Sequence, residues 1–184
     1  KWFGYIDDFE DGCAIVELNK KYNLINKNGE YLLDKWFDYI DDFKDGYARV
    51  NLNGKRNFIN KNGEYLFDNW FDAVYNFNDG YARVKLNGKY NFINKNGEYL
   101  LDKWFNGVDD FNNGYAIVLL NGKRNFINKS GEILSDKWFY YASDFKDSYA
   151  EVKLNNKWNF INADGELISD KWFDDADEAK SYIN

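Results

Sequence analysis

A tryptophan followed directly by a phenylalanine recurs along this chain at a constant interval of 34 residues. Self-similarity at a period of about 20 to 50 residues is typical of solenoids, propellers and other repeat arrays. We therefore expect five tandem repeats, at approximately 1–34, 35–68, 69–102, 103–136 and 137–170, in a repeat region of residues 1–171. The tryptophans that define the interval are Trp2, Trp36, Trp70, Trp104, Trp138 and Trp172.

Residues 172–184 form a partial sixth repeat that departs from the pattern. Ala179 stands where the full repeats have a phenylalanine, and degenerate terminal units are typical caps of repeat arrays. We predict a C-terminal cap here and see no equivalent at Lys1. An open array exposes edge strands, so end-to-end self-association could follow. The phenylalanines at this position are Phe9, Phe43, Phe77, Phe111 and Phe145.

The 34-residue period also fits the tetratricopeptide helical repeat, but the hydrophobic pattern excludes it. In the third repeat, Ala82, Val84 and Leu86 alternate with Tyr81 and with charged residues. Successive side chains of a strand point to opposite faces, so alternation with a period of two predicts a half-buried β-strand. A helix would place its apolar residues three and four positions apart.

Asn-Gly pairs divide each repeat into short strand-like runs, because they adopt the positive φ angles of two-residue hairpin turns. In the third repeat they predict strands at 80–86, 89–94 and 98–101. One such meander is marginal alone. We therefore predict an all-β fold in which antiparallel hairpin or meander repeats stack as a β-solenoid, with a β-propeller as the alternative. The structural core of the repeats is expected to include Trp36, Trp70, Trp104, Trp138, Ala82, Val84, Leu86 and Ile93.

Two motifs resemble the WG repeat, a bacterial β-type repeat. Residues 156–165, Asn-Lys-Trp-Asn-Phe-Ile-Asn-Ala-Asp-Gly, are similar to the Gly-Lys-Trp-Gly-Tyr-Ile-Asp-Lys-x-Gly core of that family. The Phe-x-x-Gly-x-Ala-x-Val segment also matches, as in Phe43, Gly46, Ala48 and Val50. Tyr-Asn or Arg-Asn mostly replaces Trp-Gly and the customary proline is missing, which places the chain in an outlying branch. The resemblance implies a repeat scaffold, often in surface or interaction proteins, and transfers no catalytic residue.

The same aromatic and glycine spacing also resembles the repeats of choline- and glycan-binding bacterial surface proteins. Composition excludes other classes. A formal net charge of -7 opposes binding to nucleic acid, which depends on clustered Lys and Arg. No stretch approaches 18 consecutive apolar residues, so we expect no membrane span. The chain begins within the pattern, which leaves the compartment open, and we favour a cell-surface, secreted or virion-associated location.

Candidate catalytic groups are few. The chain has no histidine, and its one cysteine is Cys13, which excludes histidine-based triads and an internal disulfide. Paired acids such as Asp41-Asp42 suit glycosidases, but they recur in nearly every repeat, whereas an enzyme needs one asymmetric site. Residues 41–46 faintly resemble a calcium loop that lacks its central ligand at Phe43. We interpret these acids as turn or cap residues and expect no enzyme activity, no metal and no cofactor.

Two asparagine columns are identical in all five repeats. Identical side chains of a stacked array lie above one another, so we predict hydrogen-bonded asparagine ladders with a structural role. The columns are Asn23, Asn57, Asn91, Asn125 and Asn159, and Asn26, Asn60, Asn94, Asn128 and Asn162.

Function is better sought where the repeats differ, because such positions are free of packing duties. One variable column alternates aromatic and guanidinium side chains and is our candidate ligand-binding strip, together with Arg49 and Arg83 of a neighbouring column. We predict a non-enzymatic scaffold for protein interaction or structure. The alternative is a multivalent, lectin-like module that binds glycans. The column consists of Tyr22, Arg56, Tyr90, Arg124 and Trp158.

Overall fold

The computed structural model describes residues 2–182, which are all-β apart from one short helix. Each repeat forms a three-stranded antiparallel sheet, and the five sheets follow one another in tandem without closing into a barrel. The hydrogen bonds and ion pairs between repeats join neighbours along the chain, as Tyr81 does with Lys129 and Lys61 with Asp11. The predicted all-β tandem architecture is confirmed.

The first two sheets contain β1 (Tyr5–Ile6), β2 (Cys13–Leu18), β3 (Lys21–Asn26), β4 (Tyr39–Ile40), β5 (Tyr47–Leu52) and β6 (Lys55–Asn60). The third contains β7 (Ala73–Asn78), β8 (Tyr81–Leu86) and β9 (Lys89–Asn94). The fourth and fifth contain β10 (Gly107–Val108), β11 (Tyr115–Leu120), β12 (Lys123–Asn128), β13 (Tyr141–Ala142), β14 (Tyr149–Leu154) and β15 (Lys157–Asn162). The helix is α1 (Ala176–Lys180).

The central hairpin is the most regular part of each sheet. In the third sheet, β8 pairs with β9 along the full length of both strands. Asn87 and Gly88 of the connecting turn have φ of 51° and 77°, the left-handed conformation that a two-residue turn requires. Ala82 and Val84 are fully buried, so the alternation read from the sequence corresponds to one packed face.

The remaining strand of each sheet lies before the hairpin rather than after it. In the third sheet this strand is β7, which pairs with β8, and the predicted strand at 98–101 is wrong. That segment forms an isolated bridge at Tyr99 instead. The side chain of Asn91 donates to the carbonyls of Leu101 and Lys103 at 2.7 and 3.5 Å. These bonds take backbone acceptors that a regular ladder would use, so the segment follows an irregular course.

The invariant asparagines bond within their own repeats, so the predicted ladders are wrong. Asn57 is fully buried, and its Nδ2 donates to the carbonyls of Phe67 and Asn69 at 2.8 and 3.3 Å. The equivalent bonds recur in the other four repeats. Asn60, from the second column, closes the next turn by accepting two backbone N–H groups. A buried amide satisfied by its own loop needs no partner in the repeat above.

The core lies between successive sheets. Leu24 and Leu33 of the first repeat form one cluster with Phe37 and Ile40 of the second. Clusters of the same kind join the later repeats in pairs. The phenylalanine after each of the last five repeat tryptophans is among the largest fully buried side chains, at most 1% exposed at Phe37, Phe71, Phe105, Phe139 and Phe173. Because each cluster draws on two repeats, neighbouring sheets stabilise each other.

The expected core residues divide by depth. Ala82, Val84 and Ile93 are buried, whereas Leu86 is half-buried. The four tryptophans are also half-buried and line the edge of the core: Trp70, for example, stacks on Phe37 with the ring centroids 6.2 Å apart. They are Trp36, Trp70, Trp104 and Trp138.

The two ends of the array differ. Ile6, in the first sheet, is 50% exposed, whereas its counterpart Ile40 is 3% exposed. At the other end, α1 buries Ala179 completely against Phe160 and Phe173. The helix begins after Asp175, whose side chain accepts the N–H of a first-turn residue. Within residues 2–182 no helix has the length and apolar character needed to cross a membrane.

Candidate binding surface

The candidate column lies on a row that crosses every sheet. In the fifth sheet Trp158 pairs across the hairpin with Lys153, which pairs in turn with Tyr141 of the first strand. Arg56 is exposed and the other third-strand members are half-buried. We call these fifteen positions the variable row. They are Tyr5, Glu17, Tyr22, Tyr39, Asn51, Arg56, Ala73, Lys85, Tyr90, Gly107, Leu119, Arg124, Tyr141, Lys153 and Trp158.

Aromatic side chains of the variable row gather in two groups. In the N-terminal aromatic group, Tyr22 of the first sheet meets Tyr39 of the second edge-on, with centroids 5.8 Å apart. In the C-terminal aromatic group, the guanidinium of Arg124 lies 5.8 Å from the ring of Tyr141, and Trp158 meets the same ring at 5.5 Å. Both groups contain one tyrosine of a first strand, which the sequence reasoning did not single out.

The row is not an unbroken series of rings and guanidinium groups. Ala73 and Gly107 stand at the first-strand positions of the third and fourth sheets, so the two aromatic groups are separated. Between them, Tyr90 lies beneath the ammonium of Lys85 at 5.1 Å. The sequence shows that the residues at the first-strand positions vary between repeats. It does not place them in the row, because the sequence pattern predicted the remaining strand after the hairpin rather than before it.

Arg49 and Arg83 hold equivalent positions in the second and third repeats but bind different partners. Arg49 turns back to Asp41 of its own sheet, and its Nε lies 2.8 Å from the carboxylate. In the third repeat the position of Asp41 is taken by Tyr75, and Arg83 stacks on that ring at 4.4 Å. Arg83 therefore reaches forward into the fourth repeat.

There Arg83 donates to the carbonyl of Val108 at 3.2 Å, and its Nε lies 2.6 Å from Asp110. The Nε–H does not point at that oxygen, so the contact is an ion pair rather than a hydrogen bond. Arg83 thus serves the junction between repeats. The arginine beside Asp41 thus pairs within its own sheet, whereas the arginine beside Tyr75 contacts the next repeat.

A cleft of about 320 Å³ remains beside Arg49, where the second and third repeats meet. Its walls include Tyr39, Arg56 and Tyr75 together with the Arg49–Asp41 pair. The negative charge of Asp41 raises the pKa of the Tyr39 hydroxyl, which donates to that carboxylate at 3.4 Å. The cleft combines aromatic rings, planar cations and one carboxylate, a set that suits a polar ring or a peptide.

The acidic loops contain turn residues. Asp45 and Gly46 have φ of 52° and 87° and form the turn between the bridged residues Lys44 and Tyr47. Aspartate tolerates this left-handed conformation, which supports their interpretation as turn formers. Within residues 2–182, no group of three or more acidic, cysteine or histidine side chains is arranged to hold a metal ion.

Five matches to the family of WG containing repeats cover residues 3–22, 24–55, 58–90, 92–123 and 126–158. The chain belongs to this family. The matched segments do not begin at the same position of the repeat as the units defined by tryptophan. Both divisions nevertheless give five copies. A WG-repeat chain of this kind is a repeat-based binding or scaffold module.

No curated protein matches the chain. Among solved structures it resembles Hsv2 from Kluyveromyces lactis, with 13% identity over 89% of this chain and 62% of that one, at a TM-score of 0.42. It also resembles BamB from Moraxella catarrhalis, with 10% identity over 88% and 71% of the two chains, at 0.39. A protein of unknown function from Bacteroides caccae gives 14% identity over 92% and 80%, at 0.31. The chain spans less than two thirds of the length of Hsv2.

Proposed function

We propose that this WG-repeat chain is a non-enzymatic scaffold that binds a protein partner through the variable row. The supporting observation is that residues that recur in the repeats and residues that vary between them have different structural roles. Several side chains that recur from repeat to repeat, such as Asn57 and Phe71, are buried and hold the sheets together. The variable row differs from sheet to sheet and, apart from the buried Ala73, is exposed or half-buried, so it can diversify with little loss of packing.

Two groups in the row offer anchors of the type found in protein interfaces. Tyrosine, tryptophan and arginine are enriched among residues that dominate binding energy. Tyr39 is 51% exposed and Tyr141 is 37% exposed, so both rings can lose further surface to a partner. The acidic pairs support a role without catalysis, since Asp41 is held in an ion pair with Arg49.

Partner capture tests the proposal. The purified chain, its Tyr39→Ala/Tyr141→Ala variant and a Tyr140→Ala control are each cross-linked in an extract of the source cells, and the captured proteins are identified by mass spectrometry. Tyr140 is 57% exposed and lies next to Tyr141 but outside the row. A partner bound by the wild type and the control, and lost with the double variant, supports the row. Calorimetry with the purified partner must then give the same order, and equal affinities for all three proteins would refute the assignment.

A glycan-binding module is the second candidate, and the cleft beside Arg49 favours it. Tyr39 offers an exposed ring, while Arg56 and the Arg49–Asp41 pair offer donors and acceptors for hydroxyl groups. A broad glycan array, probed with the wild type, with Arg56→Ala and with a triple Tyr22→Ala, Tyr90→Ala, Trp158→Ala variant, separates the candidates. Binding that the variants lose establishes the lectin-like function, and a blank array from folded protein leaves the protein scaffold.

A further inference from the structure

The variable row carries a charge opposite to that of the whole chain. The formal net charge of the chain is -7, whereas the row holds four cations and one carboxylate. The carboxylate is Glu17 of the first sheet, which accepts a hydrogen bond from the Tyr22 hydroxyl at 3.4 Å. Each later sheet contributes one cation, so the positive charges continue across the gap between the two aromatic groups. The cations are Arg56, Lys85, Arg124 and Lys153.

The four cations of the row are not neutralised by the chain itself. Within residues 2–182 none of them pairs with a carboxylate, although many other lysines and arginines do. Arg56 donates to the main-chain carbonyl of Asp72 at 3.5 Å. The other three lie over rings of the row, with the ammonium groups of Lys85 and Lys153 at 5.1 and 4.8 Å from the ring centroids. Contact with a ring does not neutralise a cation as a carboxylate would.

A flanking column of lysines, at the start of the third strands, is neutralised in some repeats only. In the third repeat the lysine is Lys89, and Asn106 stands where other repeats have its aspartate partner. Asn106 accepts the N–H of the following hairpin turn at 3.0 Å, a bond that Asp38 also makes. The turn bond is therefore kept while the charge is lost, which adds an unpaired cation beside the row. The paired members of the column are Lys21 with Asp38, Lys55 with Asp72, and Lys157 with Asp174.

The turns of the acidic loops lie at the other end of the hairpins. In the second sheet, Asn51 and Arg56 of the row pair next to the hairpin turn, whereas Asp45 lies in the turn before Tyr47, where β5 begins. A strand of six residues spans about 20 Å. Exposed charges more than about 8 Å apart are largely screened at physiological ionic strength. A negative partner can therefore approach the row without strong repulsion from these turns.

We infer that the variable row binds an extended acidic segment of the partner protein. Carboxylates of this segment pair with the cations of the second to fifth sheets, and its apolar atoms lie against the rings of Tyr141 and Trp158. Each contact is weak alone, but several carboxylates on one segment reinforce one another. This inference rests on the proposed function, because it takes the partner to be a protein and names its chemistry.

Charge density favours an acidic peptide over a nucleic acid. Double-stranded DNA carries one negative charge per about 1.7 Å of its axis, whereas the row offers one cation per sheet from the second sheet onward. Most phosphates along such a row would keep their charge next to a chain that is itself negative. A peptide with spaced carboxylates matches the row more closely.

Nuclear magnetic resonance titration of the ¹⁵N-labelled chain tests the inference. The probe is the peptide acetyl-Glu-Gly-Glu-Phe-Glu-Gly-Glu-amide, and its comparison peptide has glutamine in place of each glutamate. At low ionic strength we expect shift changes at Lys85, at Arg124 and at the indole N–H of Trp158. The affinity for the glutamine peptide should be at least about tenfold lower, since several ion pairs are lost. Added salt should weaken binding of the acidic peptide.

Single substitutions assign the binding to the row. Lys85→Gln and Arg124→Gln should each weaken binding of the acidic peptide about two- to fivefold, as expected for exposed ion pairs. Lys27→Gln is the matched control, because it removes the same charge from an exposed residue at the opposite end of the first sheet. The control should bind like the wild type.

Unchanged spectra at several millimolar acidic peptide, or equal affinity for both peptides, would overturn the inference. Equal losses for Lys27→Gln and Lys85→Gln would do the same, because net charge rather than the row would then explain binding. Tighter binding of a single-stranded oligothymidylate would identify nucleic acid as the ligand and also overturn it. If the peptide fails while Tyr39→Ala/Tyr141→Ala still abolishes partner capture, the inference alone is lost and the proposed function stands.

Discussion

Two places in the array can be compared directly. One is the junction between the second and third repeats, and the other is the end of the fifth repeat. Both present a phenylalanine beside a tyrosine. Phe58 packs on the inserted ring of Phe77 and is 2% exposed, whereas Phe160 packs on Ala179 of α1 and is 5% exposed. The backbone pairing of the sheets is equivalent at both places. The comparison shows that a short helix covers the last repeat almost as completely as an inserted ring covers an inner one.

Removing an inserted ring from an inner junction should have the largest effect. Phe111 is 3% exposed, and truncating a buried phenylalanine to alanine costs about 3–5 kcal/mol through lost burial and the cavity left behind. Phe111→Ala should therefore lower the free energy of unfolding by that amount in urea denaturation. Phe9→Ala, at the same position of the uncovered first repeat, should cost less than about 1 kcal/mol. Equal losses would break the comparison.

The buried asparagines should contribute equally to the free energy of unfolding inside the array and at its end. Asn91→Ala leaves the carbonyls of Leu101 and Lys103 without their donor, a loss of about 1–3 kcal/mol. Asn159 makes the equivalent bonds at the end of the array, so Asn159→Ala should cost the same within error. Asn96→Ala, an exposed turn change, serves as the control in the same urea series. A much smaller loss at Asn159 would mean that the last repeat is loosely held.

Introducing a ring at the end of the array should not reproduce an inner junction. Ala179→Phe introduces the residue found at this position in the five full repeats, but α1 buries this position completely, and overpacking a filled site costs about 1–3 kcal/mol. We expect a lower melting temperature. A higher melting temperature would show that α1 shifts to admit the ring, and the two places would then differ only in this side chain.

The smallest expected effect is a difference in acid sensitivity between junctions. A hydrogen bond from Lys55 lowers the pKa of Asp72 below its ordinary value of 3.8. Because the folded-state pKa is depressed, the stabilisation is present above about pH 4 and is lost as the pH falls through the folded value. At the equivalent place Lys123 lies over Tyr140 at 5.3 Å, and this contact has no carboxylate to protonate.

Asp72→Asn should therefore flatten the fall in stability between pH 4 and 2, whereas Tyr140→Phe should leave it unchanged. Urea denaturation at each pH measures both variants against the wild type. An identical pH profile for Asp72→Asn and the wild type would mean that this exposed pair does not contribute to stability.

The sequence was informative where structure depends on neighbouring residues. Asn87-Gly88 and the alternation around Val84 predicted the hairpin because turn geometry and strand periodicity are local. The third strand was misplaced because the bonds of Asn91 hold residues 101–103 in an irregular course, while β7 pairs with the other edge of β8. Neither contact follows from a period of residues. The aromatic column was found, but the tyrosines of the first strands were not.

The sequence could not predict the different roles of Arg49 and Arg83 either, because these roles depend on contacts between distant residues. Both were assigned to one variable column, and only the packed structure shows that Tyr75 redirects one of them into the next repeat. The covered end of the array had a sequence signal in Ala179. That substitution indicated a cap, but its consequence for Phe160 and Tyr149 depends on contacts between residues about twenty to thirty positions apart.

The hydrophobic clusters shared by neighbouring repeats affect how the number of repeats can change during evolution. Phe37 and Ile40 are received by Leu24 and Leu33, and the next repeat repeats the arrangement with Phe71 and Val74. Duplication or loss of one 34-residue segment in the gene would join surfaces that already match. The number of repeats can therefore vary without redesign of any interface, while α1 can cover the fifth repeat whatever the number of repeats before it.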